Sequence, residues 1–339
     1  MTGALVICTG GGIGDVLLAT PVMRALQARY GRVVALTAPA HRDVLVGNPW
    51  LAEVWTDDLP FPQSAARIAR GDFAASVTTW ATLRSAALPY VARVPLRVGQ
   101  ARRLYSGLFT HRVTVRSETG DRTSHWTQVL LDFARALDCD TDDATPSFRI
   151  SDAARAGLAT TLAGDEIASP YVVLHPTRGI ASAHERWPVA RLSDLARALG
   201  EAFDARVVVT GSGADRAIAQ AVAAGGGARA HALAGQTSLA EFAALAAGAR
   251  VVVALDSGPM HLAAAVGAPT VGIFALQSDE PDRWAPLGPH VAVVRATYAC
   301  PPGHRKETCP DFACIAALDV AGVVALAGGL GARRAEPDS

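Results

Sequence analysis

The chain is 339 residues long, half hydrophobic, with a formal net charge of zero; it exceeds the size at which one core stops growing, so two domains are expected, and no whole-molecule field draws it to nucleic acid. One lysine, Lys306, stands against thirty arginines, so arginine must do the cationic work. Five cysteines in a chain this long make no disulfide framework, and no apolar stretch has the length of a signal core or a membrane span, so a cytoplasmic protein with no more than peripheral membrane contact is expected.

Taken in order, residues 4–8 read as a strand, 10–14 as a loop and 16–30 as a helix with apolar Val16, Leu17, Val22 and Leu26. Strands follow at 33–36 and 74–77. A turn region at 138–146 and a helix around 153–162 lead into a second half: a strand at 171–174, a helix containing 192–199, a strand at 206–210, a helix at 239–247, and strands at 251–255 and 270–274. This alternation, run twice, predicts an α/β fold of two doubly wound parallel sheets, over residues 1–150 and 165–326, with a flexible polar tail at 327–339.

The densest information lies in residues 251–274, read as a buried strand, a polar elbow, a short helix and another buried strand. At the elbow, Asp256 supplies a carboxylate, Ser257 an N-cap hydroxyl, Gly258 a flexible backbone and Pro259 a residue suited to the first helical turn. The helix would aim its N–H groups and positive dipole end beyond the carboxyl edge of the sheet, where open α/β sheets bind ligands. An ordinary capped crossover helix would look similar.

The longer wording, Asp-Ser-Gly-Pro-Met-His-Leu-Ala-Ala-Ala-x-Gly-Ala-Pro-Thr-Val-Gly-Ile-Phe, resembles the signature of glycosyltransferase family 9, the heptosyltransferases that use ADP-activated heptose. Gly12-Ile13-Gly14-Asp15-Val16, Arg186-Trp187-Pro188 and Trp284-x-Pro286 occur in the order that family requires, and the segment from Cys300 to Cys314 is similar to its C-terminal part. The resemblance spans residues 4–326. It implies a GT-B architecture: two Rossmann-like domains facing across a cleft, the first holding an acceptor and the catalytic base, the second an ADP-sugar donor. It also implies inverting transfer of heptose to a glycan such as a lipopolysaccharide core, with no cofactor and no metal. A small natural product or a protein as acceptor, or sugar-nucleotide binding without turnover, are the alternatives.

The glycine loop at 9–15 is a poor dinucleotide fingerprint, because Thr9 takes the place of the first glycine and the second strand ends at Thr37-Ala38-Pro39 with no acid for a ribose. Asp15 is then either a helix-start acid complementing the dipole or, by the resemblance, the general base that takes the acceptor's proton. For the departing diphosphate the candidates are the helix after Asp256, Ser257 and Gly258, the Thr177/Arg178 loop, and Arg186, whose planar guanidinium grips phosphate well. Family members often carry a lysine two residues before the tryptophan; here Glu185 stands there, preceded by His184, which makes Arg178 a competitor. By the same resemblance Gly14, Asp256, Pro259 and His261 border the donor, and the turns holding Gly211 and Thr237 lie on its nucleotide side.

Other chemistries fit less well. Gly211-Ser212-Gly213 lacks the spacing of a nucleophile elbow, and Asp138-Cys139-Asp140 spells a metal-binding D-x-D in what reads as a solvated acidic turn. Cys300, His304, Cys309 and Cys314 could ligate zinc or iron, but a metal-free structural loop is the expectation. Between residues 91 and 116 six arginines occur without an acid; of these Arg97, Arg102 and Arg103 are the candidates to receive an anionic acceptor.

Overall fold

A computed structural model describes residues 2–177, 188–274, 280–299, 301 and 313–333. Arg178, Arg186, His184, Glu185, Cys300, His304 and Cys309 lie outside the described residues. The chain divides into two compact units, Met1–Arg149 and Ile150–Ser339.

In the first unit six strands, β1 (Gly3–Cys8), β2 (Val33–Thr37), β3 (Glu53–Thr56), β4 (Phe73–Thr78), β5 (Leu96–Gln100) and β6 (His111–Val113), pair in the order β3-β2-β1-β4-β5-β6. Every pairing is parallel. β1 is buried along its whole length, as its unbroken apolar sequence requires of a central parallel strand covered on both faces. Leu5, Ile7, Val34 and Leu36 form a core with Trp55, Ile68, Phe73 and Leu88.

The second unit repeats the plan. β7 (Tyr171–His175), β8 (Arg206–Val209), β9 (Ala230–Ala232), β10 (Val252–Leu255), β11 (Thr270–Phe274) and β12 (Val291–Arg295) run parallel in the order β12-β11-β10-β7-β8-β9. Counted within the unit, this is the first sheet's order again, 3-2-1-4-5-6, the Rossmann-like arrangement. Helices Val189–Phe203, Arg216–Gly226 and Val320–Arg333 bury Leu192, Leu195, Leu199, Val222, Val323 and Leu330 with Val172, Val207, Val253 and Val271 of the strands. No helix among the described residues is long and apolar enough to cross a membrane.

Two expectations are corrected here. Residues 16–30 are not one helix but two, Ile13–Leu18 and Thr20–Tyr30. Pro21 has no N–H to give the Leu17 carbonyl, and the Thr20 hydroxyl donates to it instead at 2.7 Å, so the helix breaks at Ala19. The first helix also begins three residues earlier than expected, which draws Asp15 into its opening turn. Nor is 327–339 polar and flexible throughout: residues 327–333 continue the Val320–Arg333 helix, and Val323, Ala327 and Leu330 are buried at i, i+4 and i+7.

Candidate active site

In each sheet the strand order reverses at one place, between β1 and β4 in the first unit and between β7 and β10 in the second. Loops leaving the carboxyl ends of those strands diverge there and open a crevice. The four segments that follow these strands carry Asp15, Trp80, Thr177 and Asp256.

At the first crevice the chain leaves β1 through Gly10, Gly11 and Gly12. Gly11 has φ +76°, and a Cβ there would lie 2.5 Å from Oδ2 of Asp15, so the turn closes tightly only because the residue has no side chain. The Gly12 N–H donates to Asp15 Oδ2 at 2.8 Å, fixing the carboxylate in the first turn of the Ile13–Leu18 helix, where Gly14 also sits. Asp15 therefore does cap its helix, as a plain helix-start acid would. Its environment adds something that capping does not need: burial pushes its pKa up, opposed by the Gly12 and Asp15 backbone N–H groups and by nearby His41. A half-buried carboxylate held at an open crevice with a raised pKa is suited to accept a proton.

At the second crevice Ser257 differs from expectation. It occupies the N-cap of the Gly258–Ala265 helix but makes no side-chain cap; its hydroxyl donates back to the Leu255 carbonyl at 2.8 Å. The backbone at Ser257 is extended, φ −165°, as at most N-caps, so it is the side-chain rotamer that turns the hydroxyl toward the strand it has just left. The first-turn N–H groups are thus not claimed by the side chain that usually takes them. Pro259 is in that first turn, His261 is buried further along the helix, and Asp256 stays in register with the sheet through its N–H to Ile273 O at 3.0 Å.

Sequence reasoning missed His175. It ends β7, is 7% exposed, and packs edge-on to Phe242 with ring centroids 5.7 Å apart. Its Nδ1 lies 3.0 Å from the Thr210 hydroxyl, which donates to Leu174 O at 3.3 Å, and its Nε2 lies 3.4 Å from the Thr177 hydroxyl. The two threonine hydroxyls therefore hold the imidazole at both of its ring nitrogens. Burial lowers the His175 pKa to about 4, against a smaller opposing pull from Asp215, so the ring is neutral at pH 7. A buried polar residue closing an apolar strand, beside Thr210 at the end of the next strand, was the signal available.

Between the ordinary His175 value of 6.5 and about 4, the unfolded chain binds a proton that the folded one refuses, so stability falls as pH drops through that window and levels off below it. The loss totals about 3 kcal/mol from this group. Chemical denaturation from pH 7 to 4.5 should show His175→Gln losing less stability over the window than the native chain; equal slopes would contradict this.

Gly211 and Thr237 lie in loops that follow β8 and β9 and are joined by the Gly235 N–H to Gly211 O bond at 2.9 Å. Beside them is a cavity of about 340 Å³ lined by Arg216, Gln220, Ala232, Ala234 and Gln236. Asp215 accepts both the Ser212 N–H at 2.8 Å and its hydroxyl at 2.6 Å, and Ser238 and Glu241 form a capping box. These loops are held by their own side chains.

The arginines expected to receive an acceptor are partly committed elsewhere. Arg97 donates to the carbonyls of Val94, Pro95 and Leu108 at 2.6, 3.2 and 2.8 Å and lies over Tyr90, which ties β5 to its flanking loops. Arg103 pairs with Glu118 at 2.8 Å, just beyond the acid-free run, and Arg102 donates to the Glu118 carbonyl at 3.1 Å. Of the D-x-D letters, Asp140 pairs with Arg135 at 2.8 Å, Asp138 faces Arg29 at 3.7 Å, and Cys139 is buried. Among the described residues no group of three His, Cys, Asp or Glu side chains could hold a metal ion. Cys314, the described member of the cysteine-containing segment, is buried in the short Ala313–Ala316 helix.

Comparison with known proteins adds to this geometry. The pattern of glycosyltransferase family 9 (heptosyltransferase) matches residues 65–311. Lipopolysaccharide heptosyltransferase 2 of Salmonella typhimurium is 25% identical over 308 residues, covering 84% of this chain and 85% of that protein. The solved structure of Escherichia coli ADP-heptose lps heptosyltransferase II superposes with a TM-score of 0.80 at 21% identity, over 99% of this chain and 100% of that one. A family 9 glycosyltransferase from Veillonella parvula superposes with a TM-score of 0.84 at 18% identity, over 98% of each chain. At these identities the structural likeness carries the fold alone, which is of the GT-B type. With the family pattern covering most of its length, the chain belongs to glycosyltransferase family 9, the heptosyltransferase family, and is a glycosyltransferase.

Proposed function

We propose that the protein transfers heptose from ADP-heptose to a hydroxyl of the lipopolysaccharide inner core, with inversion and without a metal ion. The observation that carries this reading is Asp15: a carboxylate anchored by Gly12 at the switch point of the first sheet, with a pKa raised by burial. The similarity to a lipopolysaccharide heptosyltransferase and to an ADP-heptose lps heptosyltransferase supports the choice of donor and acceptor. Asp15 removes the acceptor hydroxyl proton as that oxygen attacks the anomeric carbon from the side opposite the leaving group. The bond from that carbon to the diphosphate oxygen breaks, and ADP departs with the electron pair. No covalent intermediate is needed.

In this reading residues 1–150 hold the acceptor and residues 165–326 the donor. The N–H groups of the helix after Ser257, together with Arg186 or Arg178, take up the charge that grows on the diphosphate. Asp256 accepts from hydroxyls of the donor sugar. Thr177, held beside the His175 ring, offers its hydroxyl to the donor. Gly14, Gly258 and Pro259 let backbone approach the ligand, His261 backs the phosphate cradle, and the Gly211 and Thr237 loops border the nucleoside. Arg102 and Arg103 draw in an anionic acceptor. The reaction runs in the cytoplasm, with contact at the membrane surface where such an acceptor is presented.

Calorimetry with a panel of nucleotide sugars tests the donor directly: ADP-heptose should bind, and UDP- and GDP-sugars should not. Because fixed protein donors compensate the leaving charge, transfer should continue in excess EDTA. Activity abolished by EDTA and restored by magnesium or manganese, with the fold intact, would overturn the metal-free mechanism.

A further inference from the structure

We propose that the indole of Trp80 is the platform on which the acceptor's sugar ring lies while its hydroxyl meets Asp15, an inference that rests on Asp15 being the base. Trp80 stands in the loop after β4, and Asp15 in the loop and helix after β1; these strands are neighbours on either side of the point where the order reverses. Ligands of open α/β sheets bind between such loops. The two side chains press on consecutive residues of one glycine turn. A Cβ on Gly10 would lie 2.0 Å from Cδ1 of Trp80 and 2.8 Å from its Nε1, and a Cβ on Gly11 would lie 2.5 Å from Asp15 Oδ2. Adjacent Cα atoms are about 3.8 Å apart, so indole and carboxylate are within reach of a single pyranose.

The pose of the ring also has to be explained. Its five-membered side rests on the Gly10 backbone, and Trp126 meets it edge-on with centroids 6.4 Å apart and planes at 62°. Two neighbours thus fix its orientation, yet Trp80 remains 41% exposed. An indole held still and left open is costly in water and preorganised for a flat apolar partner. A pyranose supplies one, since its ring C–H groups form an apolar face while its hydroxyls point outward to the rim. Stacking would fix the tilt of the ring and deliver one hydroxyl to the base, the kind of positioning that sets turnover. The donor's adenine is assigned to the other unit, and an acyl chain has no hydroxyl to place at Asp15. The need for glycine at position 10 follows as well, because any side chain there would lift the indole from its seat.

The test uses the full-length protein and a defined probe, an acyl-free, heptose-free inner-core oligosaccharide, with ADP as control. For Trp80→Ala, the oligosaccharide Kd by calorimetry and its KM in transfer from ADP-heptose should both rise about tenfold or more, with ADP affinity unchanged. Trp80→Phe should stay within about threefold, since a smaller ring still offers a π face. Gly10→Ala, which keeps the indole but displaces it, should reproduce the acceptor defect. An unchanged oligosaccharide Kd in Trp80→Ala overturns the proposal, as does a parallel loss of ADP affinity or of thermal stability, which would make the ring structural. If Asp15→Asn turned over normally while Trp80→Ala still lost the oligosaccharide, the base assignment would fail and the platform would stand.

Discussion

Asp15→Asn is expected to lower transfer by roughly 10²–10⁴-fold, the usual worth of a general base, without altering ADP affinity or the fold. Asparagine keeps the shape, and its carbonyl oxygen can still accept the Gly12 N–H that holds Asp15 at 2.8 Å, so the helix start survives. What it lacks is a basic lone pair for the acceptor's proton. A pH profile separates this from a structural effect. Burial holds the Asp15 pKa above the ordinary carboxylate value, so the native rate should fall on the acid side as Asp15 becomes protonated, and this limb should sit higher in pH than an exposed aspartate would give. In Asp15→Asn the limb should disappear along with most of the rate. Near-normal turnover, or an unchanged acid limb, would remove Asp15 from the chemistry.

Arg186→Ala is expected to weaken ADP binding by about 1.5–3 kcal/mol, roughly ten- to a hundredfold, the range for a hydrogen bond to a charged group. A departing diphosphate gains negative charge, backbone N–H groups offer only partial positive charge, and this chain has replaced the lysine expected near that position with Glu185. A guanidinium can grip two phosphate oxygens at once. Arg186→Lys should therefore recover part of the affinity but not all of it. Unchanged ADP affinity in Arg186→Ala, together with a loss in Arg178→Ala, would move the role to Arg178.

The inner strands of each sheet were legible because they are largely apolar runs: β1, β2, β4, β7, β8, β10 and β11 match their expected spans within a residue or so. β3, β5, β6, β9 and β12 were not identified. They are flanking or edge strands, several are only three or four residues long, and they carry partly exposed residues that blur the pattern. The helix at 320–333 was not identified: Gly328, Gly329 and Gly331 weaken its helix propensity, while its buried positions 323, 327 and 330 keep helical spacing. At the site, Asp15 and the 256–261 elbow stood out through their residue types and order. The direction of the Ser257 hydroxyl did not, because residue type does not fix the side-chain rotamer. His175 was missed because its importance comes from Thr210 and Thr177, one of which is 35 residues away. The commitment of Arg97 to backbone carbonyls was equally invisible, since no residue type marks which carbonyls a folded loop presents.

Heptose transfer from ADP-heptose with inversion can be read from one reaction: the purified protein is incubated with ADP-heptose and heptose-free inner-core oligosaccharide, and the product's mass and its anomeric configuration by NMR are determined. One heptose should be added per acceptor, with ADP released in equal amount and an anomeric configuration opposite to that of the donor. Transfer from a different nucleotide sugar in preference to ADP-heptose, or a product that retains the donor configuration, would contradict it.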